Sequence, residues 1–412
     1  MPESGNSPPV VSNSPAKVAV PGSQYVFQVD AEDPDGDALS YSIRNRPAWM
    51  RWDAVLGRLS GMPTSADMGP HMDILINVTD GAGAVSVGPF TVTVEESAVE
   101  SGSAPVIEKH PGHYISMNRY DDQAAMIDAI RPGVTGLQKR YTWAELEPSF
   151  DRYDFSALRS DLDLLAGQGM RLVVFVEDKS FDGSYPTPVY LQADHTLANH
   201  NGGYTALRWH PYVLQRFHRL IAALGAAFDT HPAFEGVALQ ESSLSLGDYL
   251  LDTYGYTPEL YRDALIDTIT VARKSLPTSQ VFWYMNYLPR RQDYIAEIAN
   301  RAAELGVSMG GPDVLPDSDP LQRLVYPYYP EFAGRMVLFN SMQFDSYRHL
   351  QADPDSATKY WSMLELFKFA RDQLYVDYLF WNRVVSAKPA DSHDWRDALD
   401  VIKTRQIPIR SD

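Results

Sequence analysis

From about residue 106 the chain alternates eight times between a short apolar run and a stretch of helical period. The runs are Tyr114–Asn118, Gly136–Tyr141, Arg171–Val176, Gly236–Gln240, Val281–Asn286, Val307–Gly311, Met336–Ser341 and Val376–Trp381. The helical stretches are Asp121–Arg131, Phe155–Gln168, Pro211–Phe228, Pro258–Ser275, Gln292–Leu305, Leu321–Phe332, Thr358–Leu374 and Trp395–Thr404. Pro211 sits at a first-turn position, where its missing N–H costs nothing. Leu214, Phe217, Leu220, Ile221 and Leu224 then repeat along one face. Strand-then-helix units in unbroken succession predict parallel strands closed into a (β/α)8 barrel. An open doubly wound sheet is the competing topology, but no glycine-rich phosphate loop follows the first run.

The preceding segment has a different texture. Residues 1–20 are rich in Pro, Ser, Asn and Val and are expected to form an extended tail. Residues 21–96 carry short alternating runs, Tyr25–Val29, Leu39–Ile43, Asp73–Val78 and Phe90–Val94, punctuated by Gly and Pro. This spacing predicts an all-β sandwich. Residues 97–105 are small and polar and read as a linker, and 106–412 form the barrel. A length of 412 residues accommodates a sandwich and a barrel together.

A net charge of −18 without a Lys/Arg cluster excludes nucleic acid and anionic membrane surfaces as partners. The absence of cysteine excludes disulfides, thiol nucleophiles and cysteine–zinc sites. No apolar run reaches the roughly 20 residues of a transmembrane helix. The polar opening Met1-Pro2-Glu3-Ser4-Gly5-Asn6 is read as the start of a mature chain freed of its leader, secreted or held in the cell envelope as a periplasmic protein or surface lipoprotein.

Asp33-Pro34-Asp35-Gly36-Asp37, Pro47-Ala48-Trp49, Gly57-Arg58-Leu59-Ser60-Gly61-Met62-Pro63 and Val78-Thr79-Asp80-Gly81 stand in fixed order along the first segment. In this the segment resembles the cadherin-like, immunoglobulin-type modules of bacterial surface proteins. The resemblance implies a spacer or adhesive unit, sometimes calcium-bound. Asp33, Asp35, Asp37 and Asp80 are oxygen donors that suit structural calcium. Asp-Gly pairs also simply make tight turns.

In such barrels chemistry sits at the C-terminal strand ends. The second run ends in Arg140-Tyr141-Thr142-Trp143, followed by Glu147-Pro148 and Tyr153-Asp154-Phe155. This is similar to clan-A glycoside hydrolases, and the resemblance implies that Arg140 steadies a carboxylate or sugar hydroxyl. In that clan the acid/base glutamate ends the fourth strand, usually after Asn; here Gln240 precedes Glu241, which is expected to be the general acid. The seventh strand normally brings the nucleophile, but Gln343 stands there, and an amide cannot attack an anomeric carbon. Asp313, Asp345, Glu177 and Asp178 are the other acids at strand ends, and Glu241 with Asp313 is the leading pair. Those two would straddle a sugar with room for a water, which predicts inversion.

Trp143, His195, His200, Trp209, Trp283, Tyr284, Asn286, Tyr287, Trp381 and Asn382 complete the expected substrate wall, with the long 179–210 loop as part of it. The two histidines lack a third ligand at metal spacing and are read as hydrogen-bonding groups. The implied function is hydrolysis of a poly- or oligosaccharide with no catalytic cofactor. The alternatives are a glycan-binding barrel without catalysis and a barrel enzyme of another class, such as a lyase.

Overall fold

The computed structural model describes residues 6–21, 25–95, 106–343, 346–347, 361–384 and 395–408. The chain divides into two compact units, Met1–Ala104 and Pro105–Asp412. The first contains strands β1 (Val10–Val11), β2 (Val18–Ala19), β3 (Tyr25–Gln28), β4 (Ala31–Glu32), β5 (Ser40–Arg44), β6 (Met50–Asp53), β7 (Arg58–Gly61), β8 (Gly69–Thr79) and β9 (Ala84–Val94). They make a four-stranded sheet, β2-β9-β8-β5, a three-stranded sheet, β3-β7-β6, and the small pair β1-β4. Strand alternation sends Tyr25, Phe27, Leu59, Ile74, Ile76, Val78 and Val92 into one core.

The expected tail is a correction. Val10–Val11 pairs antiparallel with β4, and Val18–Ala19 pairs parallel with β9, so the chain is part of the unit well before residue 21. The expected linker 97–105 lies outside the described residues. The aspartates expected to suit calcium make protein contacts. Asp33 Oδ1 accepts the backbone N–H groups of Asp35 and Asp37 at 2.9 and 3.2 Å. Asp80 Oδ1 accepts those of Ala82 and Gly83. Asp35 Oδ2 accepts the Ser7 N–H at 2.6 Å. The Asp33 and Asp80 carboxylates close turns, and among the described residues no group of three or more His, Asp or Glu is disposed to hold a metal.

The second unit begins with β10 (Gly112–Met117), β11 (Val134–Thr142) and β12 (Arg171–Glu177). A hairpin of β13 (Thr196–Ala198) and β14 (Tyr204–Ala206) follows, and then β15 (Phe234–Leu239), β16 (Gln280–Tyr284), β17 (Ser308–Gly311), β18 (Leu338–Met342) and β19 (Tyr378–Asn382). The order β10-β11-β12-β15-β16-β17-β18-β19 closes on itself, all pairings parallel. Each observed strand end lies within two residues of its expected place. One helix does not. The expected Leu321–Phe332 helix breaks into Asp319–Leu324 and Tyr328–Phe332, with Pro327 between them. Proline has no N–H to give the preceding turn.

Alternation within the strands decides what faces the axis. Tyr114, Val173, Phe175, Ala238, Phe282, Tyr284, Phe339, Tyr378 and Phe380 fill the barrel interior. Their intervening neighbours, including Ile115, Leu137, Val174, Leu239, Trp283, Met309, Leu338 and Trp381, pack outward in the strand–helix layer. Above the aromatic plug lies a polar floor. Ser116 Oγ donates to Gln138 Oε1, Gln138 Nε2 donates to the Tyr284 hydroxyl, and that hydroxyl meets Ser341 Oγ, each at 2.9 Å.

Candidate active site

Continuing the same parity past the floor brings Asn118, Arg140, Glu177, Gln240, Gln343 and Asn382 to the C-terminal rim on the axial side. They line one open cavity of about 540 Å³, together with Glu241, Tyr284, Pro312 and Asp313. Arg119 and Tyr120 after β10, and Ser180, Phe181 and Asp182 after β12, complete its wall. Of the expected site residues, Glu177, Glu241, Asp313, Arg140, Gln240, Tyr284, Gln343 and Asn382 therefore meet at one place. Asp345 lies outside the described residues.

Two glutamates carry the electrostatics. Glu177 Oε1 accepts from Arg140 Nη1 at 2.8 Å, with Arg119 Nη1 3.9 Å from its other oxygen. Arg119 also clasps Asp182 at 2.6 Å, tying the loops after β10 and β12 across the mouth. Arg140 packs 4.8 Å over the Phe175 ring. Glu241 Oε1 accepts from Lys179 Nζ at 2.9 Å, and its Oε2 accepts from Asn286 Nδ2. Lys179 is wholly buried and donates also to the Ser243 carbonyl at 2.9 Å. Burial pushes its ammonium pKa down, against the opposing pull of Glu241.

The segment after β15 is held from several sides. Arg208 donates to the Glu241 carbonyl and grips Asp178 with two bonds of 2.7 and 2.8 Å. The Tyr261 hydroxyl donates to the Ser242 carbonyl at 2.7 Å, and the Asn286 N–H donates to Ser242 Oγ at 2.8 Å. Asn286 thus contacts Glu241 and is not among the residues lining the cavity. Tyr287, half-buried, has its phenol pKa raised by burial and by the charge of Asp313.

Several expected wall residues are corrected, and the same parity explains most of them. Trp283 and Trp381 neighbour the axial Tyr284 and Asn382, so they point outward and are buried in the layer beneath the helices. Trp381 Nε1 donates to His113 Nδ1 at 3.0 Å. Trp143 packs edge-on against Phe217 and donates to Glu147 Oε2 at 2.8 Å. Trp209 packs against Tyr256 and donates to the Tyr254 carbonyl. Asp178, one residue past the axial Glu177, faces Arg208. His195 lies 4.4 Å from the His210 ring, and His200 is exposed, with its N–H on the Ser245 carbonyl. None of these seven lines the cavity. Large aromatic side chains at strand ends are core by default when their parity is outward.

The sequence reading missed Asn118, Arg119, Tyr120, Lys179, Phe181 and Asp182. Asn118 was legible, being two residues past the axial Ser116. The others come from loops, whose paths the period of a strand does not determine.

Among curated proteins none matches this chain in sequence. Among solved structures it is similar to an exo-β-1,4-mannosidase from Opitutaceae bacterium strain TAV5, with 12% identity and a TM-score of 0.44 over 74% of this chain and 57% of that one. It is similar to a β-galactosidase from the psychrophilic Marinomonas ef1, with 9% identity and a TM-score of 0.45 over 71% and 59%. A psychrophilic glycoside hydrolase family 10 endo-β-1,4-xylanase aligns with 12% identity and a TM-score of 0.41 over 66% and 87%. The matched region thus spans under two thirds of the mannosidase and galactosidase chains. The barrel is established by its own closed strand order. No described helix is long and apolar enough to cross a membrane. Residues 8–95 match the family model described as "Putative Ig domain", and over that stretch the chain is an immunoglobulin-type module.

Proposed function

We propose that the barrel is a glycoside hydrolase acting on a poly- or oligosaccharide in the cavity at its C-terminal rim. The support is convergence. Glu177, Glu241 and Asp313 reach one cavity of about 540 Å³ from three different strand ends, among the amides of Asn118, Gln240, Gln343 and Asn382. Carboxylates do the proton work of glycoside hydrolysis, and amides hold sugar hydroxyls. Glu241 and Asp313 follow β15 and β17, which have one strand between them. Among the described residues Gln343, just past β18 on the axial side, puts an amide where a retaining pair would use a carboxylate, and Glu241 with Asp313 is expected to work by inversion.

Reducing-sugar release from a panel of bacterial and plant polysaccharides tests the reading, with proton NMR of the first-formed anomer. Release of product with inverted configuration supports it. A full panel without release turns the reading to its rival, a barrel that binds glycans without cleaving them. One observation favours that rival, the ion pair that each of Glu177 and Glu241 already makes with a fixed cation. Retained binding of an oligosaccharide with no product marks that case.

A further inference from the structure

Lys179 is a charged side chain sealed from solvent, and it does not line the cavity. Its ammonium meets Glu241 Oε1 and the Ser243 carbonyl, each at 2.9 Å. It sits 4.8 Å from the Phe181 ring centroid and feels Asp178 on its own segment and Arg208 across from it. Glu241 in turn faces Lys179, Asn286 from the segment after β16, and Tyr261 on the Pro258–Ser275 helix.

Both oxygens of Glu241 accept from groups that only donate, an ammonium and an amide NH2. That is the environment of an ionised carboxylate. A proton on Glu241 would leave a sealed ammonium beside a neutral acid, an unfavourable exchange. The Ser243 carbonyl and the Phe181 ring hold the ammonium in place from two further sides. The expectation that Glu241 is the proton donor conflicts with this arrangement.

We infer that Lys179 is a positioning residue that holds Glu241 as a fixed, ionised carboxylate, so that Glu241 removes a proton from water and does not donate one to the leaving oxygen. The inference rests on the hydrolase reading of the cavity. In the step it describes, the water oxygen bonds to the anomeric carbon while Glu241 takes one of that water's hydrogens. The glycosidic carbon–oxygen bond breaks, its electron pair goes to the leaving oxygen, and that oxygen takes a proton from a second acid of the cavity. Asp313 is the acid to vary for that second part.

The test is an NMR titration of protein carrying 13C-carboxyl glutamate, with the Glu241 signal identified by its loss in Glu241→Gln. In Lys179→Met the Glu241 midpoint should rise by at least one pH unit, and in Lys179→Arg it should stay near that of the parent. The acidic limb of the pH–turnover profile should move up with it in Lys179→Met. An unmoved midpoint in a folded Lys179→Met protein overturns the inference. Should that variant fail to fold, the parent protein still decides: a Glu241 that takes up its proton within or above the ordinary carboxylate range refutes the assignment, and one ionised to below that range upholds it. The titration needs no substrate. A moved midpoint without hydrolysis therefore keeps the role of Lys179 and removes only the hydrolase reading.

Discussion

Strand β15 carries a buried glutamate at each end, and the two live in different surroundings. Glu235, at the N-terminal end, accepts from the His110 N–H at 3.0 Å and from the Tyr378 hydroxyl at 2.6 Å. It also pairs with His110 Nδ1 at 2.8 Å. Arg171 lies 2.8 Å from the other ring nitrogen of His110, and since a guanidinium only donates, the ring proton sits on Nδ1 and points at Glu235. These partners join the segment before β10 to β12, β15 and β19 and so brace the bottom of the barrel. Glu241, just past the C-terminal end, is bound by a lysine behind it but opens in front onto a cavity. Burial of an acid is thus no mark of function. What separates the two is whether a reactant has room to reach the carboxylate, and in barrels that room lies at the C-terminal end.

The largest effect expected from this contrast is on turnover. Glu241→Gln keeps the shape but loses the charge, and turnover per folded molecule should fall by roughly 10²–10⁴-fold, with some loss of stability as well because the sealed Lys179 ammonium is left beside a neutral amide. Undiminished turnover would dissolve the contrast at its upper end.

At the lower end the same substitution should act on stability. In Glu235→Gln one amide must replace a group that accepts three hydrogen bonds, and the unsatisfied donors cost about 1–3 kcal/mol. Chemical denaturation would register the loss, with turnover of the folded fraction retained. A variant as stable as the parent would mean that the bracing network is ornamental.

Acid should loosen the upper end. Burial, reinforced by His195, lowers the His210 pKa to about 4. The folded chain therefore resists a proton that the unfolded chain accepts near the ordinary histidine value of about 6.5. Stability from this source is fully present above that value and declines as pH falls from it toward 4. Melting temperatures between pH 7 and 4.5 should fall less steeply in His210→Asn. An identical slope in both proteins would remove His210 from the account.

The smallest effect belongs to the N-terminal unit. A chain starting at Pro105 should fold and keep its turnover on a short soluble oligosaccharide, because the barrel closes within that unit. Aggregation or lost turnover would make the immunoglobulin-type module part of the catalytic body.

The legible and illegible parts of the site divide along a physical line. The barrel strands could be read because parallel strands buried on both faces leave a continuous apolar run in the chain. Arg140, Glu177, Gln240 and Gln343 could be placed because each extends a strand by its own period. That rule, applied everywhere, would also have rejected Trp283 and Trp381, each one residue out of phase with the axis. Their size suggested sugar platforms, whereas size is equally what a core layer under helices uses.

Sequence alone therefore determined the alternation of elements, the two-part organisation and the strand ends, since these follow from hydrophobic period and turn residues within a few neighbouring positions. Tertiary structure alone decided the partners. Lys179 meets Glu241 across 62 positions of chain, and Asn286 meets it across 45. Arg208 reaches the Glu241 carbonyl across 33. No local pattern encodes such meetings, because they arise only when the closed ring sets one strand end beside the next. They are also what holds Glu241 in its place.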